Sequence, residues 1–235
     1  MKLVIENLDK SFGKLKVLDN LCLSICKPGV FVVLGPNGSG KTTLLKSILG
    51  MVYPDNGNIR VDNKSILKKW KYRSNVNYLP QIANFPPNIS VNELLTLVKR
   101  IRGGNSNEGD LIVNLNLTPY LNKKLCTLSG GTKQKVNILL TFMFDSQLII
   151  LDEPTTGLDP VSLIVLKQLI ANEKKKGKII LITTHIMSFV EEVADEIVFL
   201  LEGEIFFQGT IHEIKQMTNT TGVEKAIAHI LTKKE

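Results

Sequence analysis

The stretch VFVVLGPNGSGKTTLLKSILG, residues 30–50, decides the fold of this chain. Its first five residues form an apolar run rich in β-branched side chains, which is typical of a buried strand. Residues 35–42 match G-x-x-x-x-G-K-[ST] at every fixed position, and residues 41–50 have the pattern of a helix. A strand, a glycine-rich loop and a helix in this order predict a phosphate-binding loop, because backbone N–H groups and a helix N-terminus then face the phosphate oxygens.

The loop residues predict that a nucleoside triphosphate binds here together with Mg²⁺. The pattern places Lys41 within reach of the β- and γ-phosphates and gives the Thr42 hydroxyl a position on the metal. The alternative, a glycine-rich turn with a surface lysine, does not explain the complete pattern in its strand–loop–helix setting. The predicted nucleotide-binding residues of the loop are Gly35, Asn37, Gly38, Ser39, Gly40, Lys41, Thr42 and Thr43.

Two acids end a second apolar run, LIILDE at residues 148–153. The carboxyl ends of strands in an α/β sheet face the ligand crevice, so Asp152 is predicted to reach the metal of a nucleotide held by the loop. Glu153 is predicted to act as the general base on the water that attacks the γ-phosphate. An ordinary acidic strand end is the alternative, and the complete phosphate loop disfavours it.

The rest of the chain alternates short apolar runs with helix-like stretches, which predicts an α/β fold with a mostly parallel sheet. Residues 90–144 contain helix-like segments without a convincing strand, so we expect a helical insertion. Valines and leucines at 161–169 predict a helix that stops at Gly177, and a short, peripheral helical tail is expected after Gly209. The predicted domains are a nucleotide-binding α/β core at 1–82 and 148–215, a helical subdomain at 83–147 and a tail at 216–235.

Composition excludes several classes of protein. The 235 residues are 43% hydrophobic and 22% charged, as in an ordinary folded domain. The longest apolar runs have five residues, whereas a membrane span needs about 20, and the first ten residues do not resemble a secretory signal, so we expect a cytosolic chain. The net charge of +7 suits an anionic ligand, nucleic acid or an anionic membrane face equally well. The three cysteines predict reduced thiols packed in the core.

Further motifs carry a resemblance to a known family. Leu128–Gly131 reads LSGG, residues 156–159 read TGLD, and His185 follows the apolar run IILITT. In this order, over residues 1–215, the chain resembles the nucleotide-binding subunit of ATP-binding cassette (ABC) transporters. The resemblance implies a P-loop NTPase core with an antiparallel β part near the N-terminus and an inserted helical signature subdomain.

The resemblance also implies roles for single residues. Phe12 is similar to the aromatic residue that stacks on adenine, and Gln81 to the glutamine that contacts the metal and takes part in catalysis. His185 is similar to the catalytic switch histidine, and Asp159 to the acid of a loop at a dimer interface. The nucleotide-binding signature residues are Ser129, Gly130 and Gly131.

The signature residues and the phosphate loop precede two different helices. The N-terminus of the signature helix is therefore a second anion-binding site, which cannot coincide with the one at the phosphate loop. The resemblance implies that a second copy of the chain supplies it, in a head-to-tail dimer with ATP between the two motifs. Thr132 and Lys135 depart from the commoner glutamine and arginine of the family, which puts the anchoring of the signature helix in doubt. Trp70 is interpreted as a packing residue, and neither His212 nor His229 belongs to a motif.

The implied partner is a separate transmembrane permease that docks on residues 82–90, with the chain cytoplasmic and peripheral on the inner face of the membrane. No nucleic acid is expected. A soluble ABC ATPase in an assembly role, such as iron–sulfur cluster biogenesis, is the alternative. At finer grain, residues 77–95 and 128–146 are similar to ATPase subunits of transporters for nitrous-oxide-reductase maturation, which serve copper-site assembly. The cargo and the direction of transport stay open.

Overall fold

The computed structural model describes residues 1–232. Its strands are β1 Leu3–Phe12, β2 Leu15–Ile25, β3 Gly29–Leu34, β4 Asn56–Val61, β5 Lys64–Ser65, β6 Val76–Leu79, β7 Leu148–Asp152, β8 Ile179–Thr183, β9 Glu196–Leu201 and β10 Glu204–Gly209. Its helices are α1 Lys41–Ile48, α2 Val91–Arg102, α3 Gly109–Asn114, α4 Gly130–Phe142, α5 Pro160–Lys175, α6 Met187–Val193, α7 Ile211–Thr218 and α8 Val223–Thr232. Each apolar run that was predicted to be a strand is one.

The strands form two sheets. Six of them make the central sheet in the order β10-β9-β3-β8-β7-β6, in which β9 to β6 run parallel and β10 pairs antiparallel with β9. The other four make an antiparallel sheet in the order β2-β1-β4-β5. The predicted α/β class, with an antiparallel part near the N-terminus, is confirmed.

Strand β3 lies between two hydrophobic cores, and all six of its residues are buried. Val30, Val32 and Leu34 point into the core that the helices α2 to α6 cover. Phe31 and Val33 point into the other core, between the central sheet, α1 and the antiparallel sheet. Side chains alternate across a strand, so a strand covered on both faces needs the continuous apolar run seen in the sequence.

The helical insertion contains α2, α3 and α4. Residues 83–147 are all described by the structure, and none of them belongs to a named strand. Helix α2 begins at a capping box in which Ser90 Oγ accepts from Glu93 N and the Glu93 carboxylate accepts from Ser90 N. Helix α5 begins with Pro160 at its first turn and ends at Lys175, before Gly177. The helix and its predicted stop are therefore present.

The C-terminal segment differs from the prediction of a peripheral appendage. Helix α7 crosses the predicted boundary at 215/216, and Val223, Ala226 and Ile230 of α8 are buried in the same core as β3. Glu191 of α6 accepts a hydrogen bond from Val223 N at 3.1 Å. The apolar positions of α8 repeat at helical spacing, and this stripe packs on the core. Residues 233–235 of the predicted tail lie outside the described residues.

The predictions that the cysteines and Trp70 pack in the core are wrong. Cys22, Cys26 and Cys126 are free thiols, as predicted, but all three are exposed. Cys22 on β2 and Cys26, directly after its end, alternate with the buried Leu21, Leu23 and Ile25, so the thiols face away from the core. Trp70 is not a packing residue, since 69% of it is exposed. In the described part of the chain, no helix has the length and apolarity that a membrane crossing requires.

Candidate active site

The carboxyl ends of the central strands surround a cavity of about 310 Å³. Loops after β3, β6 and β7 and the end of β8 supply side chains to it, because parallel strands finish at the same edge of the sheet. Nine residues predicted for the site line this cavity: Asn37, Gly38, Gly40, Lys41, Thr42, Thr43, Gln81, Asp152 and Glu153. Leu15, Val17 and Thr183 also line it and were not predicted.

The phosphate loop needs glycine where other backbone comes close. A Cβ on Gly35, whose φ is 152°, would lie 2.1 Å from the Leu200 carbonyl oxygen. A Cβ on Gly40, at φ 103°, would lie 2.7 Å from the Val17 carbonyl oxygen. Both contacts are too short for any side chain, so the two outer glycines of the motif allow the loop to wrap between β3 and α1.

Lys41 is folded back onto its own loop. Its Nζ donates to the carbonyl oxygens of Gly35 at 2.7 Å and Pro36 at 2.9 Å. Burial lowers the pKa of Lys41, and the charges of Glu153 and Asp152 oppose that change. The ammonium group therefore lies within the electrostatic reach of both acids, where phosphate oxygens are the expected partners.

The two acids are held by the neighbouring strand β8. Asp152 is buried, and its Oδ1 accepts a hydrogen bond from Thr183 Oγ1 at 2.5 Å. The backbone N–H of Glu153, a residue with φ of 48°, faces Thr183 O at 3.0 Å and Thr183 Oγ1 at 3.1 Å. Thr183 thus contacts both acids, and the only sequence signal for it is its place at the end of an apolar run.

His185 is joined to Glu153. Its Nδ1 lies 2.9 Å from Glu153 Oε2, and the histidine side chain is 76% exposed while that of the glutamate is 12% exposed. The bond fixes the carboxylate at the wall of the cavity and leaves the rest of the imidazole facing outward. The structure therefore brings together two residues that are 32 positions apart in sequence.

The residues of the cavity fit a magnesium nucleotide. Thr42, Gln81 and Asp152 present hydroxyl, amide and carboxylate oxygens, which are the hard ligands that Mg²⁺ prefers. Helix α1 begins at the loop without a side-chain cap and without an acid in its first turn, so its N-terminal N–H groups are open to an anion. The buried Ser39 Oγ has no hydrogen-bond partner among the described residues.

Phe12 lies beside the cavity and does not line it. It ends β1, pairs with Leu15 across the hairpin to β2, and is 52% exposed. Lys10 Nζ lies 5.3 Å from the centre of its ring. An exposed ring at this edge offers a flat apolar face, and Leu15 and Val17 of the next strand extend the surface into the cavity.

The signature residues lie outside this cavity in the chain as described. Ser129 caps α4, since its Oγ accepts from Thr132 N at 3.2 Å. Within residues 1–232, a Cβ on Gly130 would meet nothing within 4 Å, whereas a Cβ on Gly131 would lie 2.6 Å from the Gly157 carbonyl oxygen. The N-terminus of α4 is therefore open on one side and packed against the loop after β7 on the other.

Lys135 strengthens this contact between the signature helix and the loop. Its Nζ lies 2.6 Å from Asp159 Oδ2, and Asp159 Oδ1 caps α5 by accepting from Ser162 N at 2.8 Å. These bonds, that of Lys135 first, lower the pKa of Asp159 to about 2. Gln134 Nε2 adds a bond to Pro154 O at 3.0 Å. A lysine in place of the commoner arginine thus still ties the helix to the loop.

The segment predicted as a docking site for a permease borders a second cavity. Ile82 is 76% exposed, and Phe85 is half-buried against the core. This cavity has about 320 Å³ and is lined by Ala83, Asn84, Phe85, Pro87, Leu125, Cys126 and Lys133.

The sequence was compared with known families and relatives. The family model described as ABC transporter matches residues 18–156. An uncharacterized ABC transporter ATP-binding protein of Bacillus subtilis is 34% identical over 219 residues, which cover 91% of this chain and 73% of that protein. The Nod factor export ATP-binding protein I of Burkholderia lata is 33% identical, covering 89% and 71%. A lantibiotic transport ATP-binding protein of Streptococcus pyogenes is 34% identical, covering 88% and 90%.

Solved structures agree in fold. The structure of an ATP-binding subunit of an ABC transporter superposes with a TM-score of 0.92 at 26% identity, covering 98% of this chain and all of that one. A nucleotide-free ATP-binding cassette from an ABC transporter gives 0.79 at 27% identity, covering 97% and 99%. A dimeric ATP-binding cassette with bound ADP and phosphate gives 0.78 at 24% identity, covering 88% and 98%.

Proposed function

The chain belongs to the ABC transporter family as an ATP-binding ATPase subunit, and from this membership we propose which residues bind and hydrolyse ATP and which partners they serve. The observation that carries the proposal is the cavity beside α1. There the phosphate loop, the acids at the end of β7 and the histidine after β8 come together. That geometry supports attack of water on a terminal phosphate held at the loop.

Binding is assigned to the loop and its surroundings. Backbone N–H groups of residues 37–43 hold the phosphates, and Lys41 leaves its loop carbonyls to pair with the β- and γ-phosphate oxygens. Thr42, Gln81 and Asp152 hold Mg²⁺, which when bound neutralises charge on the phosphates. Phe12 provides the flat face on which adenine stacks.

Catalysis is assigned to Glu153 and His185. Glu153 lies at the cavity wall, and its carboxylate accepts the proton of the attacking water. His185 holds that carboxylate through the 2.9 Å bond and keeps it aimed at the cavity. The Thr183 hydroxyl group positions both acids, since it donates to the Asp152 carboxylate and accepts from the backbone N–H of Glu153.

A second copy of the chain completes the site. Ser129, Gly130 and Gly131 lie outside the cavity of their own chain and precede α4, so their N–H groups suit the γ-phosphate of a partner's ATP. A head-to-tail dimer with two bound ATP molecules follows, and a lone chain is expected to hydrolyse slowly because half of the donors are missing. ATP then closes the dimer and hydrolysis releases it.

The dimer drives a separate membrane permease, and the chain sits on the cytoplasmic face of the membrane. Residues 82–90 and the second cavity form the proposed docking site, where an exposed Ile82 suits an apolar contact. The relative named for Nod factor export favours export as the direction. The copper-site maturation role stays a prediction, and none of the relatives named above supports it.

Substitution of Glu153 tests the catalytic assignment. Glu153→Gln removes the base and keeps the shape, so ATP hydrolysis should fall by at least a hundredfold, on the order of the contribution of one general base. The variant should still bind Mg-ATP and form a dimer that light scattering detects. A variant that hydrolyses ATP normally would refute the role of Glu153, and a strict monomer at saturating Mg-ATP would refute the ATP-closed dimer.

Lys41→Ala is the matched binding variant. It should lose ATP affinity by calorimetry while the protein keeps its fold by circular dichroism. The permease is tested by isolating the tagged chain in mild detergent and identifying stoichiometric companions by mass spectrometry. A multi-spanning membrane protein is expected, and a soluble partner alone would favour the assembly ATPase instead.

A further inference from the structure

Positive charge is concentrated in one part of the chain. Residues 46–75 contribute +5 to the net charge of +7. The basic residues are Lys46, Arg60, Lys64, Lys68, Lys69, Lys71 and Arg73, and the acidic ones are Asp55 and Asp62. The remaining 205 residues are therefore almost neutral, so this segment dominates the electrostatic field at long range.

Arg60 of this segment pairs with Glu6 at 3.1 Å, but the lysines around residue 70 are not neutralised in this way. Within residues 1–232, Lys64, Lys68, Lys69 and Lys71 have no carboxylate at ion-pair distance, and all four are exposed. The two acids are engaged elsewhere. Asp55 Oδ1 accepts from Lys10 Nζ at 2.8 Å, and Asp62 Oδ1 accepts from Lys2 N at 2.8 Å.

Trp70 lies between Lys69 and Lys71 in the sequence, and its side chain does not pack in the core. It is 69% exposed and is the only tryptophan of the chain. Its backbone is nevertheless anchored, because Trp70 O accepts from Arg73 N at 3.0 Å and Arg73 Nη2 donates to Gly50 O at 2.8 Å. The loop is anchored, yet it exposes a large aromatic ring to solvent, and the stability of the fold does not account for that exposure.

Two more apolar side chains lie beside this loop. Tyr72 Oη donates to Ile48 O at 2.8 Å, which places the loop against the end of α1 and the turn that follows. In that turn Met51 is 60% exposed and Tyr53 is 55% exposed. The surface therefore combines lysines with exposed aromatic and apolar groups, and we name it the KKWK surface: Met51, Tyr53, Lys64 and residues 68–71.

We propose that the KKWK surface binds the anionic headgroups of the membrane on which the transporter works. Tryptophan and tyrosine prefer the headgroup level of a bilayer, where the ring is half in apolar and half in polar surroundings. Each lysine near an anionic bilayer strengthens binding about fivefold, and stable attachment combines such charge with an apolar anchor. This inference rests on the proposed function, which places the chain beside a membrane and so favours lipid over nucleic acid as the source of negative charge.

This surface is separate from the ATP site. Lys41 and the phosphate loop are at the N-terminus of α1, whereas Gly50 and Trp70 lie around its C-terminal end, about 12 Å further along an eight-residue helix. A lipid surface at that end leaves the nucleotide cavity open. The proposal uses the family's location at a membrane and is independent of the roles proposed for Glu153 and the signature residues.

Trp70 is its own reporter, since it is the only tryptophan of the chain and excitation at the red edge of the absorption band avoids the four tyrosines. The purified chain is mixed with vesicles of phosphatidylcholine alone or of equal parts phosphatidylcholine and phosphatidylglycerol. We expect a blue shift of the emission and protection from acrylamide quenching only with the anionic vesicles, and both should weaken as salt is raised. An unshifted emission with anionic vesicles at low salt overturns the proposal.

Co-sedimentation with the same vesicles measures binding in the variants. Lys69→Glu/Lys71→Glu should bind roughly 30-fold more weakly or worse. Lys175→Glu/Lys225→Glu is the matched control, because these two lysines are exposed and the net charge changes equally. Equal loss in both pairs means that only the net charge matters and overturns the assignment to this surface.

Two further measurements separate other occupants from lipid. ATP affinity should be unchanged in the Lys69/Lys71 variant, so a loss of vesicle binding cannot be ascribed to the nucleotide site. The emission of Trp70 is also recorded with duplex DNA. A shift with DNA, and none with anionic vesicles, assigns the surface to nucleic acid and overturns the lipid proposal.

Discussion

Thr183→Val is the substitution that best tests how the structure positions the two acids. Thr183 is 1% exposed and its hydroxyl donates to Asp152 Oδ1 at 2.5 Å while lying 3.1 Å from Glu153 N. Valine has nearly the same shape, so the change removes the two hydrogen bonds of the hydroxyl. It leaves the packing of β8 and the bond from Glu153 N to Thr183 O at 3.0 Å in place. Asp152, itself buried, then lacks its hydroxyl donor.

The expected magnitude follows from the type of hydrogen bond. A bond to a charged group contributes about 1.5–3 kcal/mol, and each 1.36 kcal/mol of barrier is tenfold in rate. If the whole contribution is lost from the transition state, kcat for ATP falls roughly 10- to 150-fold. The free energy of unfolding should fall by about 1–3 kcal/mol, because a buried carboxylate loses a partner.

The assay is steady-state ATP hydrolysis at saturating Mg²⁺, together with urea unfolding of each variant. Thr183→Ser restores the hydroxyl and should recover most of kcat. Thr184→Val is the matched control: Thr184 is 2% exposed, and its hydroxyl accepts from Ile186 N at 3.2 Å. A kcat within about twofold of wild type for Thr183→Val, or an equal loss for Thr184→Val, would refute the reasoning.

Three further predictions concern stability. Lys178→Met removes the buried cation between Glu173 and an exposed aspartate, and urea unfolding should show a loss of about 3 kcal/mol. Gly131→Ala forces a methyl group to 2.6 Å from a backbone oxygen, so unfolding should become easier by about 1–3 kcal/mol. The hydrogen bond from Lys99 is the main cause that lowers the pKa of Glu108 from 4.5 to about 2. This pair therefore stabilises the fold above pH 4.5, and its contribution to the unfolding free energy disappears as the pH falls towards 2. The difference in unfolding free energy between wild type and Lys99→Met should close over that range.

Two of the stability predictions have a control variant, and the third has an outcome that would contradict it. Lys176→Met removes an exposed partner of the same glutamate and should change the unfolding free energy by less than about 1 kcal/mol. Gly130→Ala meets nothing within 4 Å and should stabilise the helix slightly. A gap between wild type and Lys99→Met that stays constant down to pH 2 would show that the pair is not the source of the difference.

Much of the fold could be read from short segments. The run at 30–34 predicts a strand covered on both faces, and β3 is buried on both. Residues 160–177 carry their own start and stop signals for α5. The interpretation of the cysteines and of Trp70 as core residues is wrong, because hydrophobicity does not tell which face of a strand or loop another element covers.

The sequence by itself determined the phosphate loop, since a glycine-rich turn between a strand and a helix is built from bonds among residues that follow one another. Only the tertiary structure decided that His185 meets Glu153, that Thr183 supports both acids and that Lys135 reaches Asp159. These contacts depend on the register in which β7 pairs with β8 and on the packing of α4 against the following loop. Register and packing are set by the whole hydrophobic core, so no segment read alone can specify them.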